Sequence, residues 1–192
     1  NIIQIINENL NSIYSTMFLN EIQEKQRRIS KNLNQTQAIK NSTGLTLRFP
    51  SAYRVAKVDS NFVWIRRDIE TGSVNLFVSR YNDKNNSSIV KIRDSISKHH
   101  IPGPIENTFM STDRIYTPSS QQISISGKQI LETRGLWEIK GQFMAGPFLN
   151  YQFESNTKQD EYIMLDGFVY SPGSSKREYV FELEAIMRSL KN

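Results

Sequence analysis

Tyr162-Ile163-Met164-Leu165-Asp166-Gly167-Phe168-Val169-Tyr170-Ser171-Pro172-Gly173 is the stretch that decides the fold. Its first part is rich in aromatic and β-branched residues, which predicts a long strand. Alternation places Tyr162, Met164, Asp166, Phe168 and Tyr170 on one face. Ser171-Pro172-Gly173 breaks the strand. Ser175-Lys176-Arg177-Glu178 then has the spacing of a capping box. Val180, Leu183, Ile186, Met187 and Leu190 follow at helical spacing. The chain therefore ends strand, turn, helix.

Upstream, residues 129–139 read as a strand containing Arg134-Gly135-Leu136-Trp137. Residues 141–146 read as a bend or bulge, residues 147–153 as a strand, and residues 156–160 as a turn. Earlier still, residues 45–49, 53–58, 62–67 and 74–81 alternate between apolar and polar, with turn residues between them. Asn85-Asn86-Ser87-Ser88 precedes a helix with Ile89, Ile92 and Ile96 on one face, which ends at Ile101-Pro102-Gly103-Pro104. Residues 104–122 are polar and turn-rich, with one short strand expected at Arg114-Ile115-Tyr116. The order β-β-β-β-α-β-β-β-β-α predicts an α+β domain. Strands that neighbour each other in sequence imply an antiparallel sheet, and apolar helix faces must cover it.

Residues 2–41 contain neither Gly nor Pro. Ile2, Ile6, Leu10, Ile13 and Met17 form one apolar stripe, and Phe18, Ile22, Ile29 and Leu33 form a second that is offset from it. This reads as one long helix with a break, or as two helices meeting near Asn20, with the opening Asn1–Ile6 readable as strand. The Asn/Ser/Thr-rich residues 32–43 predict a fraying end and a stop at Gly44. The organisation expected is residues 1–43 as a helical linker or packing segment from an upstream domain, and residues 44–192 as the α+β domain. The chain opens on Asn1, which reads as a processed start, so the lack of a targeting segment carries no information on location.

Composition narrows the chemistry. The 192 residues are 38% hydrophobic and 22% charged, which fits a globular chain. There is no cysteine, which excludes disulfides, thiolate nucleophiles and cysteine zinc sites. The net charge is +5, spread along the chain rather than gathered in a stripe, which argues against nucleic-acid binding. His99 and His100 are the only histidines. Adjacent on a helix end, they point in different directions and suit the helix dipole better than a shared metal. No phosphate loop, nucleophile elbow or H-E-x-x-H pattern occurs, so neither a metal nor a cofactor is expected. Asn34-Gln35-Thr36, Asn41-Ser42-Thr43 and Asn86-Ser87-Ser88 match the glycosylation pattern, which arises by chance in an Asn/Ser-rich chain.

Two constellations stand out. Asp166 lies among aromatic side chains, where a carboxyl can have a raised pKa and act as an acid or base. The structural alternative is a buried ion pair, with Arg134 the first expected partner and Arg66 the second. Arg66-Arg67 after Phe62 and Trp64 resemble an aromatic-basic platform, or a strand end with snorkelling arginines. Trp64, Arg66, Arg134, Trp137 and Asp166 are therefore the candidate ligand- or partner-binding residues, and no catalytic residue is assigned. The competing reading is a hydrolase that uses Asp166 and a neighbouring carboxylate, Glu138 or Glu154.

Phe62-Val63-Trp64-Ile65-Arg66-Arg67, Arg93-Asp94-Ser95, Pro102-Gly103-Pro104, Arg134-Gly135-Leu136-Trp137, Gly146-Pro147-Phe148 and Asp166-Gly167-Phe168-Val169-Tyr170-Ser171-Pro172 occur in this order. Together they resemble a domain-of-unknown-function family of Bacteroidetes cell-envelope lipoproteins. The strand order is also similar to the PsbP/Mog1-like fold, an antiparallel sheet sandwiched between helices. The resemblance implies an envelope protein on the periplasmic face, lipid-anchored in its full-length form. It implies a non-catalytic binding or scaffolding module whose partner is an unknown protein or small ligand. The membrane would be met only through a lipid anchor that this chain lacks. The expected interaction surface is the polar 103–122 loop and the aromatic face near Trp64 and Trp137.

Overall fold

A computed structural model describes residues 2–83, 87–155 and 160–191. In chain order the elements are α1 (Ile2–Ile29), α2 (Ala38–Thr43), β1 (Arg54–Val58), β2 (Phe62–Ile69), β3 (Gly72–Asn82), α3 (Ile89–His100), β4 (Met110–Thr112), β5 (Ser119–Ile125), β6 (Lys128–Ile139), β7 (Met144–Glu154), β8 (Glu161–Tyr170) and α4 (Arg177–Met187). All strand pairs are antiparallel, and the order across the sheet is β1-β2-β3-β8-β7-β6-β4, with β5 also on β6. β6 is long enough to pair with β5 through its first half and with β4 through its second.

β3 and β8 lie at the centre, and their residues are buried on both faces. Strand alternation sends Val63, Ile65, Leu76, Leu149, Leu165 and Val169 to one face, where Ile22, Ile39, Leu183 and Ile186 cover them from α1, α2 and α4. It sends Phe62, Phe77, Met164, Phe168, Phe148 and Trp137 to the other face, beneath Ile92 of α3 and the Ile101–Met110 connection. The chain is thus an α+β fold with helices on both faces of one antiparallel sheet, as the element order predicts.

Several local expectations are corrected. Ile2–Ile29 is one helix with no break near Asn20 and no opening strand, and the break comes later, before the short helix α2. Leu45, Leu47 and Phe49 alternate inward as predicted, but the segment is not a named strand. It bridges only at Thr46 to Lys191, at the far end of the chain. Arg114-Ile115-Tyr116 is an exposed connection, not a strand. The strands there are instead β4 and β5, both on β6, and β5 is closed onto it by the two-residue turn Ser126-Gly127, both at positive φ. Gly127 suits a position that most residues avoid. The capping box does not form: α4 starts at Arg177 after Lys176, with no side-chain cap bond. The Asn85-Asn86 cap, the glycosylation pattern at Asn86, and residues 156–159 of the expected turn lie outside the described residues.

Candidate functional site

The candidate residues are placed by the alternation of four strands. Trp64 and Arg66 on β2, Asp166 on β8 and Trp137 on β6 share the face beneath α3. Arg134, three residues before Trp137, falls on the opposite face by the same alternation. The structure therefore brings four of the five together and separates Arg134 from them.

Asp166 is the polar centre of its face. Its carboxylate accepts hydrogen bonds from Arg93 Nε at 2.7 Å and Arg93 Nη2 at 3.1 Å, and from Asn150 Nδ2 at 2.8 Å. The two ionic side chains are 1% and 0% exposed. Arg93 Nη1 also donates to Thr112 Oγ1 at 3.1 Å, and the guanidinium lies 3.9 Å from the centre of the Phe148 ring. Asp94, the next residue on α3, accepts from the backbone and hydroxyl of Thr112 and from Arg114 Nη2, each at 2.7 Å. A polar ladder thus runs from surface Arg114 inward to Asp166. Burial pushes the Asp166 carboxyl above its ordinary value, while the charge and hydrogen bonds of Arg93 and the Asn150 amide pull against that shift.

The expected partner of Asp166, Arg134 or Arg66, is thus replaced by Arg93. Arg134 is on the wrong face, where it donates to Glu132 at 2.9 Å and Glu184 at 2.8 Å. Arg66 donates instead to Asp68 at 2.7 Å. Burial pushes Glu132 up, but hydrogen bonds from Arg134 and Gln121 outweigh it, so its carboxyl sits below the ordinary range.

Phe168 lies between the two tryptophans, with ring centres 6.5 Å from Trp64 and 5.6 Å from Trp137. Trp137 is 2% exposed and donates Nε1–H to the Val169 carbonyl at 3.1 Å. Trp64 is half-buried and donates to Asn75 Oδ1 at 3.2 Å. Both indole N–H groups are satisfied within the protein. His100 stacks on Phe62 at 4.0 Å, while His99 Nδ1 meets the Ser95 carbonyl at 2.8 Å. Among the described residues no cluster of three or more His, Asp and Glu could hold a metal ion.

The hydrolase reading needs a reachable pair of carboxylates. Glu138 points to the face opposite Asp166, as its place in β6 requires. Glu154 shares the Asp166 face, but it pairs with Tyr162, whereas Asn150 pairs with Asp166. Four residues of strand separate those rows by about 13 Å. A depression of about 590 Å³ is lined by residues including Gln122, Gln129, Gln152 and Tyr162, with Asp166 absent from its walls.

The connection from α3 to β5 carries exposed apolar residues. Ile105, Ile115 and Tyr116 are exposed, Ile115 by 82%. They lie within the predicted 103–122 loop, although its polar composition gave no reason to single them out. Arg93 and Asn150 were also missed. The available signal for Arg93 was its place in the Ile89/Ile92/Ile96 stripe, where an arginine must find a buried anion.

The model of the family described as Domain of unknown function (DUF4837) matches residues 32–189. No functionally curated protein matches the chain. Among solved structures, it is similar to PA94, a Pseudomonas aeruginosa protein of unknown function. That likeness has 12% identity and a TM-score of 0.43, and covers 77% of this chain and 96% of that one. It is also similar to the Saccharomyces cerevisiae Ran-binding protein Mog1p, at 11% identity and a TM-score of 0.43, over 77% of this chain and 89% of that one.

Proposed function

The chain belongs to the DUF4837 family of unknown function, and we propose that it is a non-catalytic binding or scaffolding module of a Bacteroidetes cell-envelope lipoprotein. The observation that carries the non-catalytic reading is the state of Asp166. The carboxylate placed best for acid–base work is fully buried, gripped by Arg93 at two atoms and by Asn150 at a third contact. A group so held serves packing, and a general acid or base must reach a substrate proton.

Binding then falls to the surface. Ile105, Ile115 and Tyr116 expose apolar area on the connection that leads into and out of β4. Trp64 and Arg66, the latter paired with Asp68, add a half-buried aromatic and a guanidinium toward the opposite edge of the sheet. Exposed apolar groups of this kind mark contact sites for proteins or small ligands. Placement at the periplasmic face, through a lipid anchor, rests on the motif resemblance.

Two experiments test this. Fractionation of cells producing the full-length protein should place it in the envelope, and recovery from the cytosol would contradict the location. In-cell cross-linking should yield a discrete envelope partner that Ile115→Ser/Tyr116→Ser loses while the protein stays folded. Substrate turnover abolished by Asp166→Asn in a folded protein would overturn the non-catalytic reading.

A further inference from the structure

The sheet ends in edge strands at β1, β4 and β5. An edge strand offers unpaired N–H and C=O groups to any other backbone, and proteins blunt such edges with charge, irregularity or brevity. β1 carries Arg54 and Lys57, and its register shifts between Val55 and Lys57. β4 has only three residues. β5 is different. Its seven residues hold an unbroken register on β6 and include no charge, proline or glycine. Ser119, Ser120, Gln121, Gln122 and Ser124 are exposed.

The turn fixes which backbone groups face outward. Ile125 and Lys128 flank the two-residue Ser126-Gly127 turn, so they form a hydrogen-bonded pair. Bonded and non-bonded pairs alternate along an antiparallel ladder, so Ile123, Gln121 and Ser119 also bond to β6. The N–H and C=O groups of Ser120, Gln122 and Ser124 therefore point away from β6, at a repeat of about 7 Å. Among the described residues no backbone bond from elsewhere in the chain reaches them. A row of donors and acceptors at this repeat matches an extended backbone. A helix has its own backbone groups paired, and a lipid has no such row.

A second feature adjoins the same strand. The depression of about 590 Å³ begins at Gln122 and runs across Leu131 and Gln152 to Tyr162. The carboxamides of Gln122 and Gln129 make no hydrogen bond among the described residues. Lys128 and Glu154 are its charged lining residues, and their charges cancel. In strand addition the main chain gives affinity and pockets for alternate side chains give specificity. This depression suits a long, uncharged, hydrogen-bonding side chain such as glutamine or tyrosine.

We propose that β5 is the docking edge for an extended segment of a partner protein. The segment adds to the sheet as a further strand through Ser120, Gln122 and Ser124, and lays one long polar side chain in the depression. This rests on the binding-module reading above, and it sets the partner's strand beside Ile115 and Tyr116, in the connection that leads into β5.

Random peptides displayed on phage and selected on the purified chain supply the probe. A selected peptide, once synthesised, should slow amide hydrogen exchange at Ser120, Gln122 and Ser124. Gln122→Pro removes an outward N–H and leaves the bonds to β6 intact, so the protein should stay folded and lose the peptide. Ser124→Lys puts a charge on the edge, should also lose the peptide, and decides the matter if the proline variant unfolds. A selection that yields no peptide protecting these amides, or peptides that bind both variants as well as the parent, would overturn the proposal. So would protection that appears in the chain alone as its concentration rises, because a second copy then fills the edge. The partner cross-linked in cells separates this proposal from the reading beneath it. A partner that Ile115→Ser/Tyr116→Ser loses and Gln122→Pro keeps would overturn the edge and leave the binding module standing.

Discussion

Arg93 on α3 grips Asp166 on β8 from above the sheet, through Nε to Oδ2 at 2.7 Å and Nη2 to Oδ1 at 3.1 Å. The pair ties the helix on one face to the central strand. Neither ion reaches solvent, so the pair must be satisfied internally. Asn150 completes the carboxylate and Thr112 takes one remaining guanidinium donor. The arrangement fixes where α3 sits, because a shift of the helix would leave two buried charges unpaired.

Asn150→Leu tests the completeness of this centre. Removing the amide leaves Asp166 with Arg93 alone, and losing one buried hydrogen bond to a charged group should cost about 1.5–3 kcal/mol. Urea unfolding with an unchanged m-value checks it. A neutral effect would show that the amide does not support the carboxylate.

His100 should give the fold an acid-sensitive component. Its pKa lies below the ordinary 6.5, chiefly because of burial and then because of Lys57. The folded state therefore binds a proton less readily than the unfolded chain. Stability from the neutral ring is complete above about 6.5 and is lost as pH falls toward the depressed folded value. His100→Phe keeps the stack on Phe62 and should flatten the stability profile through that window, as read by thermal unfolding at stepped pH.

Glu132 should act lower on the pH scale. Arg134 and Gln121 hold its carboxyl below the ordinary range despite burial. Its contribution is present above about 4.3, the unfolded value, and is lost as pH falls through the folded one. Glu132→Gln should remove that part of the acid dependence, and an unchanged profile would contradict the assignment.

Gly146 is required by a close approach. A Cβ there would overlap the Val169 carbonyl oxygen, the same atom that accepts the Trp137 indole N–H. Gly146→Ala should destabilise by about 1–3 kcal/mol as β7 and β8 are forced apart. Trp137 fluorescence should shift, because its hydrogen bond is disturbed along with the strand.

How much of this was legible depended on whether a feature was local. The alternation of β2, β3, β7 and β8 is a property of consecutive residues, so the strands and the antiparallel sheet could be read directly. β5 could not, because Ser119-Ser120-Gln121-Gln122 lacks β-branched and aromatic residues. Its cues were confined to the short Ile123-Ser124-Ile125 alternation and the Ser126-Gly127 turn before β6. Asp166 was recognisable as a charge among aromatics, but its partner depends on how α3 crosses the sheet, and nothing in β8 encodes that. Arg134 looked suitable until alternation in β6 put it on the other face. The exposure of Ile115 and Tyr116 is likewise a tertiary fact, since the same residues could have formed a strand.

A double-mutant cycle on Arg93 and Asp166 tests most directly the claim that this centre holds the fold together. Arg93→Met and Asp166→Leu should each destabilise by about 3–5 kcal/mol, since each strands a buried charge. The double variant, with both charges gone, should recover most of that loss, giving a coupling of at least about 2 kcal/mol. Single variants that unfold like the parent, or a double variant whose cost is the plain sum of the two, would contradict it.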